Sequence, residues 1–228
     1  MASIKVIASG GLKAAYQELT PRFERASRHR VATVFAGSVD IIQRMRAGEA
    51  CDLLVMPSSF IDELIKLGKV VSGSRADLAR SGIGVAVRAG ARKPDVSSSD
   101  ALKRALLAAG SVSYSSSASG IYLAGLFERM GIAAELRGKI RQSSPGVPVG
   151  ELVARGEAEI GFQQVSELLP ISGIDYLGPL PADVQHFTIF SAGLHIAAQE
   201  PAAARELIDF IKSPAVAAVI KKSGMEPV

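Results

Sequence analysis

The sequence is poor in the residues that build disulfides and metal centres. Cys51 is the single cysteine, so an internal disulfide is excluded. With only three histidines beside it, a closed structural zinc site is not expected. Tryptophan is absent and aromatic residues make up 5% of the chain. We therefore predict a core of aliphatic side chains and neither a metal nor another cofactor.

Long apolar runs are also missing. No stretch approaches the roughly 18 consecutive apolar residues that a membrane-spanning helix needs, so no membrane span is expected. The apolar run Ile4–Ala8 is too short for a signal peptide and leads straight into predicted structure. Two localisations remain open: periplasmic if a leader was removed before Met1, and cytoplasmic if Met1 is the native start.

Charge of one sign is not concentrated anywhere. Lysine and arginine total 26 against 22 acidic residues, a net charge of +4, and the basic residues are scattered. They are not interleaved with aromatic residues, which argues against nucleic-acid binding. The balance is compatible with a small anionic ligand.

What the sequence does contain is a regular alternation of strands and helices. Apolar residues make up 48% of the chain, and short apolar runs are each followed by a polar turn and an amphipathic helix. This order predicts a parallel sheet with helices on its faces, in which ligands bind beyond the carboxyl ends of the strands. The first three strand–turn pairs are Ile4–Ala8 with Ser9–Gly11, Val31–Phe35 with Gly37–Val39, and Asp52–Met56 with Pro57–Ser59.

A serine-rich stretch is the strongest local signal. Five serines fall within residues 113–119, between a short strand and a helix predicted over Gly120–Met130. Hydroxyls and the unpartnered N–H groups of a helix N-terminus suit a bound anion. A flexible linker is the alternative, since serine and glycine also make linkers.

Three further expectations concern local structure. Pro21 interrupts the helix predicted over Leu12–Arg28, so a kink or break is expected there. Residues 70–80 are interpreted as a connecting segment before a strand over Ile83–Arg88, and Ile140–Gln142 as a short strand. Later in the chain, the strand ending at Gln163 and Gln164 carries two adjacent amides.

The order of these motifs resembles the molybdate-binding branch of the periplasmic solute-binding proteins. The resemblance covers nearly the whole chain, and its markers are ASGGL (8–12), FAGS (35–38), RAGEACDLLV (46–55), GIYLA (120–124), LVARGEAEIG (152–161) and FIKSP (210–214). It implies the α/β, two-lobe type II fold, in which each lobe is a mixed or parallel sheet flanked by helices and a ligand cleft lies between the lobes. Lobe I would comprise residues 1–80 and 190–228, and lobe II residues 81–189.

The same resemblance implies a function and partners. Such proteins capture a small anion with serine hydroxyls and helix N-terminal amides, close as a hinge, and deliver the ligand to an ABC-type permease. A monomer is expected. The candidate ligand-binding residues are Ser9, Gly10, Gly11, Ser38, Val39, Arg80, Ser117, Ser119, Gly120, Tyr122, Val147, Val149, Gln163 and Gln164.

The sequence departs from the molybdate pattern at three turns. Gly11 stands where those proteins usually carry a ligand serine, the fourth turn reads Pro-Gly-Val-Pro (145–148), and Gln164 replaces a tyrosine. These changes and the extra serines favour a wider, more polar cleft for a di- or tricarboxylate. Arg80 would pair with such a carboxylate, although an Arg exposed to solvent or linking the lobes is the alternative.

A subgroup of this branch that includes an aconitate isomerase is also similar, in RSGIGV (80–85), SGIYL (119–123) and GMEP (224–227). An isomerase needs a general base beside an acidic C–H bond. None is obvious: His29 is expected at the surface and His195 in the core, while His186 is expected at the surface or the hinge, with reach into the cleft as the alternative. Solute binding is therefore the first hypothesis. An aconitate isomerase-like enzyme is the second, and a cytoplasmic anion sensor the third.

Overall fold

The computed structural model describes residues 1–144 and 146–228, and these form two compact units. Unit 1 comprises Met1–Ser81 and Ile189–Val228, and unit 2 comprises Gly82–Thr188. Among the described residues, no helix combines the length and the apolar character needed to cross a membrane.

Unit 1 contains six strands, three of which are parallel to one another. Its strands are β1 (Ser3–Ala8), β2 (Arg30–Phe35), β3 (Leu53–Pro57), the first part of β4 (Ala76–Arg88), the second part of β8 (Phe187–Leu194) and β9 (Glu226–Pro227). Strand β1 lies between β2 and β3 and is parallel to both, and β8 continues the sheet antiparallel to β3. The carboxyl ends of β1, β2 and β3 therefore meet at one edge.

Strand alternation divides the apolar side chains of unit 1 between two faces of this sheet. The helices of the unit are α1 (Lys13–Ser27), α2 (Ser38–Arg46), α3 (Ser58–Lys66), α9 (Pro201–Lys212) and α10 (Ala217–Lys222). Leu53 and Val55 pack with α1, α9 and α10, whereas Leu54 and Met56 pack with α2 and α3. Both faces are thus covered by helices, as a largely parallel sheet requires.

Helix α1 continues through Pro21, so the break that was one of the two sequence-based expectations does not occur. It runs unbroken to Ser27 and ends at Arg28, whose φ of 63° is left-handed. Proline removes one hydrogen bond from the helix interior. Leu19 and Phe23, on either side of Pro21, are both buried in the core of unit 1. Packing on both sides of the proline therefore holds the helix together.

A buried carboxylate ties three segments of unit 1 together. Asp52 is 2% exposed. It accepts hydrogen bonds from the backbone N–H groups of Lys5 at 2.7 Å, Gln199 at 2.6 Å and Glu200 at 2.9 Å. Backbone donors compensate the desolvation of this charge. Asp52 thereby fixes the start of β3 against β1 and the turn before α9.

Unit 2 has a four-stranded sheet of mixed direction. Its strands are the second part of β4, β5 (Val112–Tyr114), β6 (Ile160–Gln164) and β7 (Ile174–Pro179), and its helices are α4 (Ser99–Ala108), α5 (Ala118–Arg129), α6 (Ala133–Leu136), α7 (Val149–Ala154) and α8 (Val165–Leu168). Strand β6 is parallel to β5 and antiparallel to β4, which also pairs with β7. The core of unit 2 includes Leu123, Phe127 and Phe162.

Helix α7 packs closely on β6 at Gly161. A side chain at Gly161 would put its Cβ 2.4 Å from Cγ2 of Val153 and 3.0 Å from Cγ1 of Val149. Only glycine allows this approach. Helix α7 is therefore held against the start of β6.

Two local predictions for the middle of the chain were wrong. Part of the segment interpreted as a connection is strand, because β4 begins at Ala76 and pairs with β9 through Ala79 and Arg80. The segment predicted as a strand over 140–142 contributes one isolated bridge, between Ile140 and Val112. In the first case, pairing with a distant segment decided the outcome.

Candidate functional site

In unit 1, the turns after β1 and β2 are adjacent. The backbone N–H of Ser9 donates to the Val55 carbonyl at 2.8 Å, and that of Ala36 donates to the Ala8 carbonyl at 3.0 Å. A 3-10 helix over Gly10–Leu12 follows Ser9 and leads into α1. The predicted ligand residues Ser9, Gly10 and Gly11 therefore lie at the carboxyl edge of the parallel strands of this unit.

Ser9 carries a buried hydroxyl without a partner among the described residues. The residue is 4% exposed, and its Oγ receives and donates no hydrogen bond there. Leaving a buried polar group unpaired costs about 1–3 kcal/mol. An unpaired hydroxyl at a strand end is a suitable donor for a ligand oxygen.

Gly11 is explained by its neighbour Phe190. A Cβ at Gly11 would lie 2.1 Å from Cζ and 2.2 Å from Cε1 of the Phe190 ring, which is 2% exposed. The ring therefore occupies the space that a serine side chain would need. The departure from the molybdate pattern at this turn has a steric cause.

The second turn of unit 1 opens α2. Gly37 is the N-terminal cap and has no side chain to satisfy the first helical N–H groups, and Ser38 and Val39 begin the helix. Ser38 is 2% exposed and Val39 is 36% exposed. Backbone donors and a hydroxyl thus lie together at the same sheet edge as Ser9.

In unit 2, the serine-rich stretch caps α5, and this helix begins at Ala118 with Ser117 as its cap. It starts two residues earlier than the sequence predicted. The Ser115 hydroxyl lies 3.3 Å from the N–H of Ser117 and 3.4 Å from the Ser119 hydroxyl. Ser119 is 2% exposed. These contacts order the stretch into a compact loop over 115–119, hereafter the serine loop.

Gly120 allows the serine loop to fold back on its helix. A Cβ on Gly120 would lie 1.6 Å from the carbonyl oxygen of Ser115 and 2.7 Å from its carbonyl carbon. These are backbone atoms, so no side-chain rotation can relieve the clash. Glycine at position 120 is therefore a requirement of the loop conformation.

The end of β6 contributes two buried amides. Gln163 is 4% exposed, and its Oε1 accepts the N–H of Val149, the first residue of α7, at 2.8 Å. Val147 donates its own N–H to the Ser144 carbonyl at 3.0 Å. Pro145, in the fourth predicted turn, lies outside the described residues. Strand β6 and the turn before α7 are thus joined at a polar cluster.

Gln164 holds a free hydrogen-bonding position. Its Nε2 contacts the Thr188 hydroxyl at 2.7 Å, while Oε1 is buried and unpartnered among the described residues. Because a hydroxyl both donates and accepts, rotating the amide by 180° preserves the Thr188 contact. The free position then becomes an N–H donor. Gln164 can therefore donate to an anion, as the tyrosine does in the molybdate pattern.

Two predicted ligand residues have partners within their own units. Arg80 donates through Nε to the Glu226 carboxylate at 2.7 Å. The Tyr122 hydroxyl donates to the Val184 carbonyl at 2.9 Å, and its ring stacks on His186 with 4.5 Å between centroids. These partners give each side chain a structural role. A ligand role for either stays a prediction.

Sequence reasoning missed a titratable group beside the amides. Glu167, on α8, is partly exposed and hydrogen-bonds with the Gln163 side chain. Burial of the carboxyl raises its pKa to about 7, and the Gln163 hydrogen bond opposes this shift. The sequence feature that could have indicated Glu167 is its position one helical turn after Gln163, among the apolar residues Val165, Leu168 and Leu169.

The other titratable candidates lie elsewhere. His195 is 5% exposed, and its Nδ1 accepts the Ala197 N–H at 3.2 Å. Burial lowers its pKa. Cys51 is buried, and burial raises its pKa to about 12, so it is not a reactive thiolate. Within residues 1–144 and 146–228, no group of three or more His, Cys, Asp or Glu side chains could hold a metal ion.

Comparison with known proteins identifies the family. The family model for bacterial extracellular solute-binding proteins matches residues 4–226. The chain belongs to this family. Its resemblance to solute-binding proteins, predicted from sequence, is thereby confirmed.

Three known proteins are similar to this chain over most of its length. An aconitate isomerase from Pseudomonas sp. is 40% identical over 232 residues, covering 99% of this chain and 88% of that protein. The periplasmic molybdate-binding protein of Azotobacter vinelandii has a TM-score of 0.78 at 20% identity, covering 97% of this chain and 98% of that one. The sulfate-binding protein SubI of Mycobacterium tuberculosis H37Rv has a TM-score of 0.82 at 17% identity, covering 100% and 88%. The predicted periplasmic-binding-protein fold is confirmed.

Proposed function

We propose that the protein binds a small organic polycarboxylate of the aconitate class. The observation that carries the proposal is the set of buried neutral donors at strand ends, above all the unpaired Ser9 hydroxyl in unit 1 and the Gln164 amide in unit 2. Neutral hydroxyls and amides stabilise an anion without the desolvation cost of a second buried charge.

Two features favour a polycarboxylate over molybdate. Phe190 fills the place of a ligand hydroxyl at Gly11, which removes a donor from unit 1. In unit 2, the serine loop brings the Ser115 hydroxyl to 3.4 Å from that of Ser119, and it carries two more serines at positions 116 and 117. The 40% identical relative is named as an aconitate isomerase, which supports the same ligand class.

Calorimetric titration with trans-aconitate, citrate, molybdate and sulfate tests this proposal. We expect aconitate to bind most tightly. Replacing Ser9 or Ser119 by alanine removes one hydrogen bond to a charged group, worth about 1.5–3 kcal/mol, so each variant should bind roughly 10- to 100-fold more weakly.

The matched control is Ser172→Ala, in an exposed turn of unit 2. Its affinity should equal that of the wild type. Weaker binding of the same ligand by both the Ser9 and the Ser119 variants would support a donor role for each serine. Unchanged affinity in both variants would refute the assignment of these donors.

A second candidate function is isomerisation of the bound acid, with movement of its double bond. The specific observation in its favour is the 40% identical aconitate isomerase, which aligns with 99% of this chain. Incubating the protein with trans-aconitate and following cis-aconitate by proton NMR tests it. Steady formation of the cis isomer supports an enzyme, and bound but unchanged trans-aconitate supports a binding protein.

We also propose that, as a binding protein, the chain would act in the periplasm and deliver its ligand to an ABC-type permease. The family consists of extracellular solute-binding proteins, which supports this location. Cell fractionation with an antibody tests it, because a periplasmic protein is released by osmotic shock. Retention in the cytoplasm would instead favour an anion sensor or an intracellular enzyme.

A further inference from the structure

Unit 2 contains a cavity that the proposed function does not use. It lies between α5, α6 and β5 and has a volume of about 260 Å³. Cavities that bind small molecules span roughly 300–1,000 Å³, so this one suits a ligand at the small end of that range. None of its lining residues is among the predicted ligand residues. A ligand held here would therefore contact different residues from those assigned to the anion.

Two helices turn matching faces towards this cavity. Each contributes three lining residues at positions i, i+3 and i+4, which lie on one side of a helix. They are Ala124, Phe127 and Glu128 of α5, and Ala133, Leu136 and Arg137 of α6 and its C-terminal cap. Gly131, with a left-handed φ of 67°, turns the chain between the helices. The sequence thus brings both faces together across one short turn.

The walls of the cavity are held in place by the rest of unit 2. Phe127 is 2% exposed, and its ring lies edge-on to that of Tyr114 with 5.9 Å between centroids. The segment after α6 is tied to β5, because the Val112 N–H donates to the Lys139 carbonyl at 2.9 Å and the Arg141 N–H donates to the Val112 carbonyl at 2.8 Å. A ligand therefore meets a preformed surface, which lowers the cost of binding.

Small and aromatic residues give the cavity its shape. Ala124 is exposed and Ala133 partly exposed, and their methyl groups leave open the space that a larger side chain would fill. Tyr114, Phe127 and Ile140 supply an apolar lining. Aromatic rings pack favourably against one another edge-to-face. The lining therefore suits a ligand with an apolar, aromatic body.

The opening of the cavity carries one charge of each sign. Glu128 and Arg137 both line the cavity and are both exposed, so they lie where it meets solvent. Neither side chain forms an ion pair with another residue in the described part of the chain. By contrast, Arg155 pairs with Glu157 and Glu151. An unpaired acid and an unpaired base at one opening complement a ligand that carries both an ammonium and a carboxylate.

We propose that this cavity binds an α-amino acid with an aromatic side chain. The ring of the ligand would pack on Phe127 and Tyr114, its carboxylate would pair with Arg137, and its ammonium would pair with Glu128. Such a site is independent of the proposed polycarboxylate site and of isomerisation. Because exposed ion pairs contribute little, the dissociation constant should lie in the millimolar range.

Titration of the isotope-labelled wild-type protein with L-phenylalanine, followed by NMR, tests the proposal. We expect saturable shifts of the backbone amide signals of residues 124–137. Two related compounds separate the charges, since 3-phenylpropanoate lacks the ammonium and 2-phenylethylamine lacks the carboxylate. Each should bind about 1.5- to 5-fold more weakly than L-phenylalanine.

Two charge-removing variants identify the partner of each ligand group. Glu128→Gln should weaken binding of L-phenylalanine by about 1.5- to 5-fold and leave binding of 3-phenylpropanoate unchanged. Arg137→Gln should weaken binding of both compounds and leave 2-phenylethylamine unchanged. Arg104→Gln, at an exposed position of α4, is the matched control and should bind all three as the wild type does. Wild-type affinity for L-phenylalanine in both Glu128→Gln and Arg137→Gln would overturn the zwitterion assignment.

A cavity-filling variant tests the location of the site. Ala124→Leu places a larger apolar side chain in the cavity at an exposed helical position, where leucine is a good helix former. It should abolish saturable binding of L-phenylalanine, and thermal unfolding confirms that the variant is folded. Binding that persists in Ala124→Leu would overturn the assignment of the cavity.

Two results with the wild type would also overturn the proposal. One is the absence of saturable shifts with L-phenylalanine. The other is a set of shifts confined to the turn at Ser9 and the serine loop and reversed by trans-aconitate, which would place the amino acid at the anion donors. Binding of trans-aconitate is measured separately by calorimetry, so failure of the amino-acid site leaves the polycarboxylate proposal intact.

Discussion

Replacing Gly120 by alanine should destabilise the serine loop, although the same change usually stabilises a helix. Alanine in place of glycine inside a helix gains about 0.5–1 kcal/mol. At Gly120 the new Cβ would lie 1.6 Å from the Ser115 carbonyl oxygen, where ordinary contact begins at 3.4 Å. The backbone of the loop must move by about 2 Å, and overpacking of this kind costs about 1–3 kcal/mol.

Because the obstacle is backbone, we take the upper part of that range, which leaves a net loss of about 2 kcal/mol. For a protein of this size the midpoint temperature should fall by about 4–8 °C. The displaced loop should also weaken anion binding, since Ser115 and Ser119 no longer present their hydroxyls together.

Gly125→Ala is the matched control in the same helix. A Cβ there meets only the flexible Nη1 of Arg129 at 3.3 Å. Its midpoint should rise by about 1–3 °C, with anion affinity unchanged. Scanning calorimetry measures the midpoint temperatures of both variants. A Gly120→Ala protein as stable as Gly125→Ala would refute the close approach of the loop to its helix.

Three other predictions concern unit 1 and the β6 amides. Gly11→Ser should lower the free energy of unfolding by about 1–3 kcal/mol, because the new side chain clashes with the Phe190 ring. Adding Phe190→Ala to the same chain should remove that clash. Equal urea midpoints for wild type and Gly11→Ser would contradict this prediction. The Glu167 pKa of about 7 exceeds that of a free glutamate, so its contribution to stability is complete below about pH 4.5 and is lost as the pH rises through 7. Between pH 5 and 8 the wild type should therefore lose about 2 kcal/mol of unfolding free energy relative to Glu167→Gln. The full pKa shift corresponds to about 3 kcal/mol, and partial exposure of the side chain reduces it. A difference in unfolding free energy that does not change with pH would refute the raised pKa. Asp52→Ala leaves three backbone donors unpaired and should cost about 3 kcal/mol or more in urea unfolding; a loss below about 1 kcal/mol would show that water replaces the carboxylate.

The fold was predictable where local pattern and packing agree. Apolar runs such as Leu53–Pro57 formed the expected strands, because a strand buried on both faces must be apolar throughout. The segment over residues 76–80 was missed because its partner, β9, lies about 150 residues away in the sequence. Pairing between distant segments produces no periodic pattern of apolar residues in either segment.

The turns of the candidate site were predictable from the sequence, whereas the chemical properties of its side chains were less so. The turn at Ser9 and the serine loop follow directly from strand–turn–helix order. Glu167 carries no local motif, and its pKa is raised only once folding buries its carboxyl. The reason for glycine at position 11 likewise required the position of Phe190, a residue far along the chain. Motifs thus located the turns, whereas tertiary packing set the properties of individual side chains.

Binding of a polycarboxylate is tested most directly by titrating trans-aconitate into the wild-type protein in a calorimeter, with molybdate and sulfate titrated under the same conditions. We predict saturable binding of aconitate at one site per chain and at least tenfold weaker binding of both inorganic anions. Molybdate or sulfate binding more tightly than aconitate, or no heat of binding for any polycarboxylate, would contradict the proposal.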